Sequence, residues 1–280
     1  MARLVSNALC LMWALRRADL LYLISGMLSR RVKILYWVTR LLGVPVLVHW
    51  IGGDVRSATK HFEKHTHAPR AVKRHIHWAA APWLVEELRG IGIEAAFVPF
   101  TSRKKAEFLS LDPPRLPNRF TILSYLPDHR AEFYGWDKVV RLAHDFPQAQ
   151  IVIVRGEGAF VDECPPNVHF LGWVDDIYDV YRDCTVVVRM TEHDGYSHIV
   201  QEALLLGRYV IWTYPFPGAL QAKDYPSLRD HIDDLIARQD QGVLEVNGEG
   251  RAFIERNLNP DTLSKQLRDR LRECATQGRR

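Results

Sequence analysis

The chain has 280 residues, enough for two domains of ordinary size. Apolar residues make up 47% and charged residues 25%, a globular balance that excludes a disordered or fibrous chain. The net charge of +4 conceals an asymmetry: residues 1–118 carry 18 Lys and Arg against 8 Asp and Glu, and residues 119–280 carry 19 against 25. A basic first half points to an anionic partner such as lipid headgroups, a polyprenyl phosphate or nucleic acid, although each basic cluster taken singly also fits a solvated face. No nucleic-acid motif or stacking-aromatic pattern accompanies it, which argues against nucleic acid. Cys10, Cys164, Cys184 and Cys274 are scattered without a C-x-x-C pair, as expected of reduced thiols in the cytosol.

Leu4–Leu15 is apolar but too short to span a bilayer. Arg16 and Arg17 follow where a cleavage site would need small residues, so an amphipathic first helix is expected. The chain is expected to be cytoplasmic, with peripheral contact at the inner membrane face. Strands are then predicted at Asp19–Ser25, Val44–Trp50, His75–Ala79 and Ala95–Val98, and helices at Arg30–Leu42 and Pro82–Gly90. Such alternation predicts a parallel sheet with helices on its faces. Residues 109–118 concentrate three prolines with Asp and Asn and read as a linker. Beyond it come strands at Phe120–Leu123, Gln150–Val154 and Val168–Leu171, and helices at Asp137–Asp145, Asp175–Arg182, Pro226–Gln239 and Leu263–Cys274.

Residues 185–213 carry the chemistry. A β-branched run (Thr185–Val188) precedes an acidic-Gly turn, a helical stretch His198–Leu206 ends at Gly207, and a second apolar run follows. The turn Asp194-Gly195-Tyr196-Ser197 then lies at the carboxyl end of a strand, with helix N–H groups aimed outward, where α/β sheets bind phosphate. Asp194 and Glu202 are separated by seven residues. The same residues also fit a helix cap and a surface acid.

This acidic-x7-acidic spacing resembles the motif of retaining GT-B glycosyltransferases of family 4, with Asp194 where Glu is usual. Gln150–Gly158 is similar to the family's strand and Gly-rich turn near the nucleotide, Pro166–Val174 to the turn bordering the nucleobase, and Val44–Asp54 to the strand ending in His-Gly-x-Asp. The resemblance implies an α/β fold of two Rossmann-like domains facing a cleft: an acceptor-side domain at 1–110, a nucleotide-sugar domain at 119–258, and a C-terminal helix at 259–280 packing back across them. It implies that Gly195, Tyr196, Ser197 and His198 receive the diphosphate, Glu202 the ribose and Asp194 the sugar. Gly156 would then lie near the nucleotide, Gly172 and Trp173 would border the base, and His49 and Asp54 would act at the cleft. For His49, a packed core histidine is the other reading.

The chain departs from that pattern in three places. Tyr125 and Tyr134 occupy the positions of the family's Arg and Lys, so Arg130, or else Arg155 or Arg189, would supply the charge facing the diphosphate. The family's first glycine-rich strand has no evident counterpart, which implies a reduced amino-terminal domain. Tyr22 and Ser25-Gly26 stand where the family often has His-x-His. His61, His65, His67, His75 and His77 crowd one region, but nearby Lys and Arg would repel a cation, and no metal or other cofactor is expected. The expectation is a glycosyltransferase using a UDP- or GDP-linked sugar and a lipid-linked or saccharide acceptor. A partner-dependent subunit that binds nucleotide sugar or lipid is the alternative, and a sugar-nucleotide epimerase a third reading.

Overall fold

A computed structural model describes residues 10–26, 30–63 and 70–277. Two compact units account for them: described residues of Met1–Phe100, His193–Tyr196 and Asp261–Arg280 in one, and Thr101–Glu192 with Ser197–Pro260 in the other. The break falls at Thr101, ahead of the Pro-rich stretch read as the linker.

The first unit contains a helical stretch α1 (10–15), β1 (Leu21–Ile24), α2 (Arg30–Leu41), β2 (Val46–Trp50), α3 (Gly53–Glu63), α4 (Arg70–Lys73), β3 (Ile76–Ala79), α5 (Pro82–Gly90) and β4 (Ala96–Phe97). Its four strands are parallel and lie in sequence order. On one face Val46, Val48 and Trp50 pack with Val55, Leu84, Leu88 and Ile93; on the other, Leu47 and Trp78 pack with Val98 and Cys274. Every residue of β2 is therefore buried, which is why this strand reads as a continuous apolar run rather than an alternation.

The second unit contains α6 (Arg103–Leu109), β5 (Thr121–Tyr125), α7 (Trp136–Asp145), β6 (Gln150–Val154), β7 (Val168–Gly172), α8 (Ile177–Arg182), β8 (Val186–Arg189), α9 (His198–Leu205), β9 (Tyr209–Trp212), β10 (Leu220–Gln221), α10 (Tyr225–Asp240) and α11 (Gly248–Asn257). A last helix, α12 (Pro260–Gln277), follows and falls almost wholly in the first unit, where Leu267 and Leu271 pack beside Cys274. The six strands run parallel in the order β10-β9-β8-β5-β6-β7. Strand order reverses at β5, so the carboxyl ends of β5 and β8 mark the switch point where open α/β sheets form their ligand crevice.

Four helices escaped the sequence reading, for identifiable reasons. In α3, Val55, Ala58 and Phe62 form the buried face, but Arg56, Ser57, Thr59, Lys60 and His61 fill the positions between them. In α6 the buried pair is Lys105 and Phe108, and a lysine does not read as a core residue. α4 is a single turn, and α11 begins Gly-Glu-Gly, a poor helix-forming sequence that tertiary packing overrides.

The Pro-rich stretch is held by Arg208, whose fully buried guanidinium donates to the carbonyl oxygens of Leu206, Pro114, Arg115, Arg182 and Cys184. One arginine thus satisfies carbonyls on three segments. Arg208→Met leaves these buried acceptors unpaired, so urea unfolding should show a loss of roughly 3 kcal/mol; a loss under about 1 kcal/mol would mean the carbonyls find other donors.

Candidate functional site

At the carboxyl ends of the second sheet, four strands deliver their terminal residues together. Tyr125 ends β5 and Arg189 ends β8, adjacent in register beyond the Ser124–Val188 pair. The Arg189 guanidinium lies over the Tyr125 ring at 5.6 Å and the Tyr134 ring at 5.3 Å, and the two rings meet edge to face at 5.4 Å. Arg189, one of the sequence's alternatives to Arg130, therefore lies against the two tyrosines. Arg130, the residue favoured from sequence, sits in an exposed 3-10 turn with its guanidinium over Phe133 at 4.1 Å.

Beside them, the Asp128 carboxylate accepts hydrogen bonds from the backbone N–H groups of Glu157 and Gly158, tying the turn after β6 to the turn after β5. Gly156 is required there, because a Cβ would stand 2.2 Å from the Leu126 carbonyl oxygen. The Gly156 carbonyl accepts from Gly172 N–H at 3.0 Å, and Arg155 lies 4.1 Å over the exposed Trp173 ring. The predicted Gly156, Gly172 and Trp173 thus share one edge.

Next to the switch point, α9 starts with Ser197 buried and His198 exposed; the Ser197 side chain makes no capping bond. One turn further on, half-buried Glu202 accepts a hydrogen bond from the Tyr181 hydroxyl of α8 at 3.1 Å. Ser102 also bonds it, and Lys105 and Lys104 lie close enough to lower its pKa. Burial outweighs these partners and raises the carboxyl above its ordinary value. Lys105 is fully buried and donates to Gln201 Oε1 at 2.7 Å. Burial pushes its ammonium down to about 8, against the pull of Glu202. Tyr181, also buried, is pushed well above its usual value, by burial first and by Glu202 second. Neither Lys105 nor Tyr181 was picked out from sequence. Lys105 lies in an Arg-Lys-Lys run that looks like a solvated face; its only signal is the i,i+3 spacing to Phe108, which puts both on one helix side.

A cavity of about 570 Å³ opens by the ends of β8 and β9, lined by Met190, Thr191, Thr213 and Tyr214 with Glu132, Asp137, Lys138, Glu192 and Lys223.

The remaining predicted residues belong to the first unit. His49 is fully enclosed, stacked on Phe100 at 4.0 Å. Its Nε2–H donates to the Val98 carbonyl at 2.8 Å, so Nδ1 accepts from the Tyr22 hydroxyl at 2.7 Å. Burial takes its pKa down to about 4, so the ring is neutral and both nitrogens are used internally. Asp54 accepts from the N–H groups of Gly26, Ile51, Gly52 and Val55, which fixes the turn into α3. Both side chains hold their own scaffold in place.

The segment His193–Tyr196 groups with this unit. The Trp83 indole N–H donates to the Asp194 carbonyl oxygen at 2.8 Å, His193 Nε2 meets Glu87 at 2.8 Å, and Tyr196 packs edgewise on Phe97 at 5.5 Å. The Asp194 carboxylate accepts from Gly195 N–H. A Cβ on Gly195 would stand 1.9 Å from the Ile51 carbonyl oxygen, so only glycine admits this backbone approach. Among the described residues no group of three His, Cys, Asp or Glu side chains is placed to hold a metal ion; His65 and His67 lie outside those residues.

Among solved structures, the chain is similar to Anabaena HepE, crystallised with UDP-glucose, at 14% identity and a TM-score of 0.68 over 94% of this chain and 81% of that one. It is similar to sucrose-phosphate synthase from Thermosynechococcus elongatus at 16% identity and 0.67, over 91% and 73%. A glycosyltransferase from Rickettsia africae matches at 12% and 0.70, over 96% and 80%. The chain has the GT-B fold. No protein-family model matches the sequence, and no curated protein matches it significantly.

Within this GT-B fold the Lys105–Glu202 pair has a measurable signature. The Lys105 pKa is depressed from 10.5 in the unfolded chain to about 8 in the folded one, so between those values the unfolded state binds more protons. Stability should therefore rise with pH from about 8 to 10.5, with a slope of at most about 1.4 kcal/mol per unit from this group. Lys105→Met should flatten that segment of the curve in urea titrations at stepped pH. An unchanged slope would place the titration elsewhere.

Proposed function

We propose that the chain is a glycosyltransferase that moves a sugar from a nucleoside diphosphate to a hydroxyl acceptor, with retention at the anomeric carbon. The observation that carries this reading is Glu202 on α9, separated from Asp194 by seven residues and half-buried near Tyr181 and Lys105, beside the switch point of a GT-B fold. Structures sharing the fold were solved with UDP-glucose, or with UDP and GlcNAc, which supports a nucleotide sugar as ligand class.

In this reading Glu202 accepts hydrogen bonds from the ribose diol, its orientation fixed by Tyr181 before the ligand arrives. The N–H groups at the start of α9, from Ser197 and His198 onward, receive the diphosphate along the helix dipole. Gly195 and Tyr196 lead into that turn, and Asp194 takes sugar hydroxyls. Gly156, Gly172 and Trp173 border the base, with Arg155 stacked on the indole.

Leaving-group charge is the main electrostatic demand of the reaction, and Arg189 takes the role first given to Arg130. It stands at a strand's carboxyl end, partly buried and confined by two aromatic rings, whereas Arg130 projects from an exposed turn. Phosphates neutralised by helix and arginine need no metal. The acceptor would be a saccharide or lipid-linked hydroxyl in polysaccharide or glycolipid synthesis at the cytoplasmic face of the membrane.

The engagement of His49 and Asp54 within their own scaffold favours one second reading. Acceptor-side chemistry would then come from a partner chain, and this protein would be a donor-binding subunit.

A panel of UDP- and GDP-sugars offered to the purified chain should give slow hydrolysis of one donor, accelerated by membrane extract. Arg189→Ala should slow that turnover by about 10²- to 10³-fold, and Arg130→Ala by less than about tenfold. Nucleotide binding with no turnover of any donor would support the subunit reading, and equal losses in the two variants would refute the Arg189 assignment.

A further inference from the structure

The first unit carries an exposed apolar and basic surface that the proposed chemistry does not use. On α2, Ile34, Trp37 and Leu41 are 63, 62 and 65% exposed, at i, i+3 and i+7 spacing, while Tyr36 and Thr39 face inward. On α1, Leu11, Met12 and Trp13 are exposed too, and Arg17 lies 4.0 Å over the Trp13 ring. Monomeric proteins rarely leave two such helix faces open to water without a partner for them.

Topology brings the basic ends of these helices to one edge. α1 leads into β1 and α2 into β2, so both helices end at the amino-terminal edge of the first sheet. At that edge a cavity of about 390 Å³ is lined by Arg40, at the end of α2, and by Arg74 and His75, just before β3. Arg16, Arg17, Arg40 and Arg74 are all exposed. Between residues 10 and 50 the sequence has six Lys and Arg and a single acid, Asp19. Ligands of α/β sheets enter at the carboxyl edge. This surface is at the other one.

We infer that the amino-terminal edge of the first sheet docks on an anionic phospholipid bilayer, with Trp13, Trp37, Ile34 and Leu41 entering the interface and the arginines meeting headgroup phosphates. Charge complementarity selects this occupant. Exposed tryptophans and aliphatic side chains flanked by arginine, with almost no acid, are the composition of interfacial helices. The cavity lined by Arg40 and Arg74 has volume enough for one headgroup phosphate, and Arg40 lies on the same helix as Ile34, Trp37 and Leu41. The inference holds whether or not the chain transfers a sugar.

Co-sedimentation of the full chain with phosphatidylcholine vesicles, and with the same vesicles enriched in phosphatidylglycerol, tests it. Binding is expected only to the anionic vesicles and should weaken as salt is raised. Arg40→Gln and Arg74→Gln should each reduce partitioning about fivefold. Trp37→Ser should reduce it further, with a melting temperature like that of the wild type. Three results would overturn the inference. The first is no binding to anionic vesicles, or equal binding to both kinds. The second is saturation of Arg40 and Arg74 by inorganic phosphate in a protein that ignores vesicles. The third is a dimer, seen by light scattering, that Trp37→Ser dissociates while vesicle binding is absent.

Discussion

Glu202 is a carboxylate drawn partly out of water, and groups from two helices and a cap converge on it. Burial alone favours its neutral form, and the opposing groups come from separate places in the chain: Tyr181 from α8, Ser102 and Lys105 from α6 and its cap. A carboxylate so placed is worth its desolvation cost only where charge and direction are both needed. Lys105 shares that cost, since its ammonium is fully buried and pushed toward neutrality by the same surroundings. Tyr181 and Ser102 hold the Glu202 carboxylate in one direction. In the proposed function that fixed orientation is what would let hydrogen bonds to a sugar diol discriminate.

The backbone around this cluster is set by close approach rather than by side-chain packing. Asp128 clamps the turn after β6 against the turn after β5, and Gly156 lets those turns touch. In the first unit, Gly195 presses its backbone on Ile51, while Asp54 locks the Ile51–Gly52 turn through its own N–H groups. Residues that looked like chemistry in the sequence, His49 and Asp54, serve this framework. A histidine ending a buried strand and an aspartate after two glycines carry the same letters in either role. Only their hydrogen-bond partners separate a scaffold from a site.

The strands were legible because β-branched runs such as those at Val46–Trp50, Gln150–Val154 and Val186–Arg189 have no other physical use. The helix stop at Gly207 and the proline start of α5 were equally plain. What escaped was polar burial. Lys105 is indistinguishable from Lys104 in the sequence, yet one is enclosed and the other lies at the surface. Arg208 reads as an ordinary residue after a helix stop, and it ties the Pro-rich stretch to two other segments through five carbonyls. Arg189 could be named as a candidate cation, but its place between Tyr125 and Tyr134 depends on strand order, which no local pattern reveals. Long-range pairing fixed these residues, and long-range pairing is what a single sequence hides.

The most direct measurement is calorimetric titration of UDP and of GDP into the wild-type chain and into Glu202→Gln, a change that keeps the side chain's shape and removes its charge. One nucleotide should bind the wild type, and the variant should bind it at least tenfold more weakly, a loss of about 1.4 kcal/mol, with folding unchanged. Binding of equal strength to both proteins, or no binding of either nucleotide to the wild type, would contradict the assignment of Glu202 and the reading built on it.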